Sequence, residues 1–273
     1  MQELASLANG SVREIQELAL TAFTPKTDIP VAVVPDNHEV KTLEHFQLQP
    51  SLIRQAVRLI SASSLIAYVQ KFADPRTAIF ADKSETRIEA VLDYHSAANS
   101  PEWAKHRAVY DCPYSDEWQE WAARDKRAMN QTDFAEFLEN HIQDIAPVSD
   151  DYKGPSGTAL LEMVLAFQET RKAEFKSVRR LQDGTFQMSY SDEKSGSGNT
   201  SLPEKISLAI APFHNGVRYQ VEARIRYRLK DGGLALWYEL IEPKKIVEHA
   251  FTEIVVDLEN QLENIPVYEG SIK

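Results

Sequence analysis

The chain has one cysteine, Cys112, in 273 residues. An internal disulfide is therefore impossible, and Cys-x-x-Cys metal or redox sites are excluded. Cations are also scarce, with 30 Lys and Arg against 41 Asp and Glu and a net charge of −11. A dedicated duplex-DNA binder carries a basic footprint over its binding domain. The overall balance instead favours a protein partner or a small ligand and repels RNA and anionic membranes. No apolar run approaches the roughly 20 residues that a membrane helix needs. Residues Met1 to Ser11 lack the basic start and apolar middle of a secretory signal. A cytoplasmic protein with no membrane partner is the expectation. The 7 histidines are scattered, with no His-x-x-x-His pair. No Walker loop and no Gly-rich dinucleotide fingerprint occurs. No metal and no cofactor are expected, and the balance leans away from an enzyme.

What is there is the composition of a globular protein, 43% apolar and 26% charged. That length can bury one large core or two ordinary ones. The chain is organised around Val217 to Ile241. Val217, Tyr219, Val221, Ala223, Ile225, Tyr227 and Leu229 alternate with Arg218, Gln220, Glu222, Arg224, Arg226, Arg228 and Lys230. This period of two predicts a strand with one apolar and one wet face. Asp231-Gly232-Gly233 and the run Leu234 to Ile241 complete a β-hairpin.

Along the rest of the chain, helical spacing predicts a helix over 11–22, and short strands follow at 29–34 and 40–43. An amphipathic helix is expected from Gln49-Pro50-Ser51 to Ile60, then a second to Phe72 capped by Ser63 or Ser64. A hairpin at 77–94 turns through Asp82 to Glu85, and Lys105 to Tyr110 reads as a strand. Ser115 and Thr132-Asp133 start helices. Residues 147–155, with two prolines and a glycine, form the clearest linker candidate. Beyond it, a helix over 158–172 precedes five strands, with Ser191 to Leu202 a flexible loop among them, and a helix over 244–262 follows.

Three constellations could carry chemistry. Asp93-Tyr94-His95, with His106 nearby, has the carboxylate–imidazole pairing of a general base, although so short a motif more often closes a strand end. Trp118 and Trp121 lie three apart on a helix, a spacing that suits a core or a protein interface. The basic stripe is sharpest: Arg218, Arg224, Arg226, Arg228 and Lys230 share one strand face. Residues on one face recur about every 6.6 Å along a strand, close to the phosphate spacing of an extended single strand. Guanidinium groups fork onto phosphates and stack on bases. The competing reading is a solvated face whose cations pair with Glu222 and Glu239.

Several stretches together carry a resemblance: Ala90 to His95, His106 to Tyr110, Trp118-Gln119-Glu120-Trp121, Gln131 to Glu139, and Pro212 to Arg228. Over most of its length the chain resembles the YfdQ-like family of phage and prophage proteins. The resemblance implies a bacterial cytoplasm during infection and an early, non-virion gene. It assigns no catalytic residue.

The expected fold is α+β. Residues 155–273 form an antiparallel sheet with flanking helices, and a smaller mixed α/β region spans 1–150; the two are able to pack as one body. The first functional expectation is a non-enzymatic, homo-oligomeric accessory that binds or anneals single-stranded nucleic acid in recombination or replication. The alternative is an acidic inhibitor of a host nuclease or anti-phage defence enzyme, using acid-rich runs at 116–120, 133–144 and 253–263.

Overall fold

Strict alternation in the chain becomes a sheet whose inner face is filled with aliphatic side chains. In the computed structural model, which describes residues 47–149, 152–168, 174–182, 185–192, 196–230 and 233–273 together with position 14, the alternating stretch forms strand β10, Tyr219–Lys230. Val221, Ala223 and Ile225 are buried on one side. Strand β9, Lys205–Ile210, and strand β11, Gly233–Leu240, flank β10 on either side, both antiparallel to it. The two-residue strand β5, Met129–Asn130, adds to the outside of β11. The sheet order is therefore β5-β11-β10-β9.

Helices cover the inner face of this sheet. They are α2, Asp116–Arg124, α3, Gln131–Asn140, and α4, Gly157–Gln168. Each start has a local cause. The Ser115 side chain accepts from the Trp118 amide, and that of Asn130 accepts from the Asp133 amide, which satisfies donors a helix start leaves free. Trp121, Phe134, Phe137, Leu138, Leu160 and Val164 meet Ile206, Leu208, Leu236 and Tyr238 in one core. Each fully buried residue of this size contributes about 1.5–3 kcal/mol.

A second layer precedes it in sequence. Strands β1 (Ala56–Leu59), β2 (Ala78–Asp82), β3 (Arg87–Val91), β4 (Arg107–Asp111) and β12 (Val267–Glu269) form a mixed sheet of order β1-β4-β3-β2-β12. The outer pairs β1–β4 and β12–β2 are parallel. Helix α1, Ala62–Phe72, and helix α5, Pro243–Gln261, bury Leu65, Val69, Phe251 and Leu258 against Ile79, Ile88 and Tyr110. The opposite face carries a chain of ion pairs: Arg58–Asp111 (3.3 Å), Asp111–Arg87 (3.6 Å), Arg87–Glu89 (3.6 Å) and Glu89–Arg107 (3.0 Å). Glu89 is buried, and two guanidinium partners make that burial tolerable.

A third sheet is formed by β6 (Glu174–Arg180), β7 (Thr185–Asp192) and β8 (Gly196–Pro203), all antiparallel. The fold is α+β, with helices flanking the antiparallel sheet. Contacts divide the chain into two units, Met1–Ile53 and Arg54–Lys273, so the strands from both parts of the sequence belong to the second. In the first unit, the described residues 47–53 are exposed, with bends at 47–49 and 51–52, and Ser51 Oγ donates to Gln47 Oε1 at 3.0 Å.

Several elements differ from the sequence reading. The helix expected from Pro50 to Ile60 is instead strand β1, because a short apolar run fits either period and the parallel ladder with β4 decides it. Its successor ends at Phe72 as expected but begins earlier, at Ala62, and is capped by Ser61, not Ser63 or Ser64. The loop expected over Ser191 to Leu202 contains β8, whose Gly- and Ser-rich sequence carries no alternation and is held by backbone pairing to β7. Six strands, not five, therefore lie between α4 and α5 among the described residues. Within 147–155, Tyr152 is buried and its amide bonds to Ser149 Oγ. Just before that stretch, the Ala146 amide donates to the Ser207 carbonyl. The helix expected over 11–22, apart from Glu14, and the strands expected over 29–34 and 40–43 lie outside the described residues.

Candidate nucleic-acid interface

Because β10 alternates strictly, one choice of inner face fixes the outer one. Gln220, Glu222, Arg224 and Arg228 are exposed on that outer face, and Arg226 is half-buried. The register places Arg224 between Lys205 of β9 and Glu239 of β11, Arg226 opposite Trp237, and Arg228 opposite Ala235. The structure thus brings Arg224, Arg226 and Arg228 together and adds Lys205 to them. Arg218 precedes the strand and is separated from the cluster by Gln220 and Glu222. It is exposed and lies within electrostatic reach of Asp144. The side chain of Lys230 is outside the described residues.

Two acids partly neutralise the cluster. Glu222 pairs with Lys205 (Nζ–Oε2, 2.9 Å) and Glu239 with Arg226 (Oε2–Nε, 3.0 Å). The Arg226 hydrogen bond, helped by one from Trp237, holds the Glu239 carboxyl below the usual range against a smaller opposing effect of burial. No ion pair or hydrogen bond to another described residue engages the side chain of Arg224 or Arg228. Exposed pairs of this kind contribute about 0–1 kcal/mol, so an incoming anion can displace them at little cost.

Sequence reasoning did not single out Lys205 or Trp237, yet parity marks both. Lys205 is out of phase with the buried Ile206, Leu208 and Ile210, and Trp237 with Leu236 and Tyr238.

The other candidate groups make contacts within the fold. Asp93 Oδ1 and Oδ2 accept from the His106 and Lys105 amides at 2.9 and 3.0 Å, and His95 Nδ1 accepts from the Glu102 amide at 3.0 Å. These bonds close the loop between β3 and β4, and no hydrogen bond joins Asp93 to His95. His106 is buried, its Nε2 lies 2.9 Å from the Tyr68 hydroxyl, and burial lowers its pKa against the opposing charge of Asp93. Trp118 and Trp121 lie in the core under the antiparallel sheet, where Trp121 presents no surface and Trp118 almost none. Trp121 Nε1 donates to Asp144 Oδ2 at 2.8 Å. Cys112 is buried and its thiol is pushed up to about 12 by that burial, which keeps it protonated and a poor nucleophile. Among the described residues, no group of three or more His, Cys, Asp or Glu is placed to hold a metal ion, and no helix is long and apolar enough to cross a membrane.

A family model described as an uncharacterized conserved protein, DUF2303, matches residues 8–272. No curated protein and no solved structure matches the chain.

Proposed function

The chain belongs to the DUF2303 family, whose description names no activity, and from the chemistry of its own sheet we propose that it binds single-stranded nucleic acid. In this reading it is a non-enzymatic binding or annealing accessory, acting in the bacterial cytoplasm in phage recombination or replication. The phage setting rests on the resemblance to YfdQ-like proteins. The binding rests on one observation. Arg224, Arg226 and Arg228 stand at alternate positions of one strand face, with Arg224 and Arg228 exposed and engaged by no described acid. Alternate residues recur about every 6.6 Å, a spacing at which successive guanidinium groups can each meet a backbone phosphate. Helices α2, α3 and α4 pack on the other face of the sheet.

The test is fluorescence anisotropy with a labelled single-stranded oligonucleotide at low and physiological salt, for the wild type and for Arg224, Arg226 and Arg228 changed together to Gln. Binding that weakens steeply with salt in the wild type and is lost in the variant supports the reading. Binding indifferent to strand form and salt, or none at either salt, refutes it.

A second reading has its own observation. Glu253, Asp257, Glu259 and Glu263 are exposed along and just beyond α5. Such an acidic surface suits a basic cleft on a host nuclease or defence enzyme. Capture of a stoichiometric host partner by the wild type, but not by a variant with these acids changed to Gln or Asn, would favour it. The absence of any stoichiometric partner would remove it.

A further inference from the structure

Phosphate contacts alone do not distinguish a single strand from any other polyanion; an aromatic ring that meets bases does. Among the described residues, the outer face of the antiparallel sheet carries one such ring. Trp237 sits on β11 directly opposite Arg226 in the ladder. It is half-buried, whereas Trp118 and Trp121 are in the core. Its orientation is constrained by a shared acid. One Glu239 oxygen lies 3.0 Å from Arg226 Nε and the other 3.4 Å from Trp237 Nε1. One carboxylate thus holds both a guanidinium and an indole, and an aromatic side chain fixed before binding loses less freedom when it binds. Arg224 and Arg228 lie one step along β10 on either side of Arg226. The ring therefore stands beside the middle of the cationic row.

We infer that Trp237 is the base-stacking platform of this face, oriented by Glu239, so that the ligand class is nucleic acid with unpaired, accessible bases. This rests on the nucleic-acid reading proposed above. A strand whose phosphates follow Arg224, Arg226 and Arg228 would turn a base toward β11, where the indole is. Duplex DNA keeps its bases stacked on one another and cannot offer that contact. Glu239 here is a positioning residue: it holds Trp237 and Arg226 and does not itself meet the ligand.

The experiment uses the full chain and two labelled probes of equal length: an oligothymidylate of about 15 nucleotides, within the span one such site occupies, and its abasic counterpart, which keeps the phosphates and lacks the bases. The wild type should prefer the oligothymidylate. Trp237→Leu should weaken thymidylate binding by about five- to a hundredfold, the range for loss of one stacked base. It should leave abasic binding and the salt dependence unchanged, because no phosphate contact is lost. Trp237→Phe keeps a ring and should retain most of the preference, and it serves as the informative variant should the leucine form fail to fold. Equal wild-type binding of both probes would overturn the stacking inference while leaving a phosphate-binding face in place. A thymidylate preference that survives in Trp237→Leu would overturn the assignment to this residue. No wild-type binding to either probe would remove the functional reading and the inference with it.

Discussion

Ser115 ties a helix start to the segment between two strands, and removing its hydroxyl tests how the antiparallel sheet is held to its helices. Ser115 is 4% exposed. Its Oγ accepts from the Trp118 amide at 3.0 Å and donates to the Ala211 carbonyl at 2.5 Å. Its own amide donates to the Pro212 carbonyl at 3.1 Å. One side chain therefore caps α2 and bonds to the connection between β9 and β10. Ser115→Ala loses the cap, a loss of about 0.5–2 kcal/mol. It also leaves the Ala211 carbonyl without its donor, about 1–2 kcal/mol more for a partly buried group. The two share an atom and do not add fully, so the expected loss is about 2–3 kcal/mol. Ser115→Gly separates them, because glycine at a cap costs only a few tenths of a kcal/mol and yet cannot donate to Ala211. Urea unfolding followed by tryptophan fluorescence reads both variants. A loss under about 0.5 kcal/mol for Ser115→Ala would refute the double role, since either bond alone is worth that much.

Three further outcomes follow from single residues. Burial raises the Asp144 carboxyl above its ordinary range; bonding from Trp121 and the nearby His141 and Arg218 oppose this, and the Glu117 charge reinforces it. With the folded value above the unfolded one, this residue favours the folded state only in acid, and stability falls as pH rises from the unfolded value through the folded one. Asp144→Asn keeps an acceptor for Trp121 and cannot ionise. Its urea midpoint relative to wild type should therefore be higher near neutrality than near about pH 4, and an equal difference at both would contradict the assignment. Asp93→Ala removes the acceptor of two amides and should cost about 1–3 kcal/mol in thermal unfolding; nucleic-acid affinity of the folded variant should be unaltered, and a selective loss of affinity would reopen a functional role. Glu239→Gln keeps an amide oxygen that can accept from Trp237 while removing the negative charge beside Arg226, and should tighten binding of a single-stranded oligonucleotide by about two- to fivefold at low salt, the scale of one exposed ion pair; unchanged or weaker binding would contradict this.

The parts of the fold legible in the sequence are those where one local signal dominates. The alternation from Val217 to Lys230 is long enough that only a strand with one buried face satisfies it, and Ser115 announces α2 because its hydroxyl has an immediate use there. Strand β1 reads as a helix in the sequence because Leu52 to Ile60 satisfies both periods, and the deciding partner, β4, lies some fifty residues away, at Arg107 to Asp111. Strand β8 is illegible for the opposite reason. Gly196 to Pro203 contains no pattern at all, and its conformation comes from pairing with β7. The same division runs through the site. Periodicity gathered Arg224, Arg226 and Arg228, but the addition of Lys205 and the position of Trp237 beside Arg226 depend on the registers of two neighbouring strands. Register is set by core packing and turn geometry, so it cannot be read from one strand alone.

That registration also reconciles a net charge of −11 with a cationic face. The acids are not spread evenly. Exposed carboxylates concentrate on α2, α3 and α5, among them Asp116, Glu120, Asp133, Glu136, Glu253 and Asp257. The core separates α2 and α3 from the outer face of the sheet, because both helices pack on its inner face. At physiological ionic strength the Debye length is about 8 Å, less than the roughly 10 Å that separates packed layers. Charges on α2 and α3 are therefore largely screened from an anion on the outer face, whereas Glu222 and Glu239, on the strands themselves, are not. The local balance there is Lys205, Arg224, Arg226 and Arg228 against Glu222 and Glu239. A chain of net negative charge can in this way present a locally cationic face to an anion at contact.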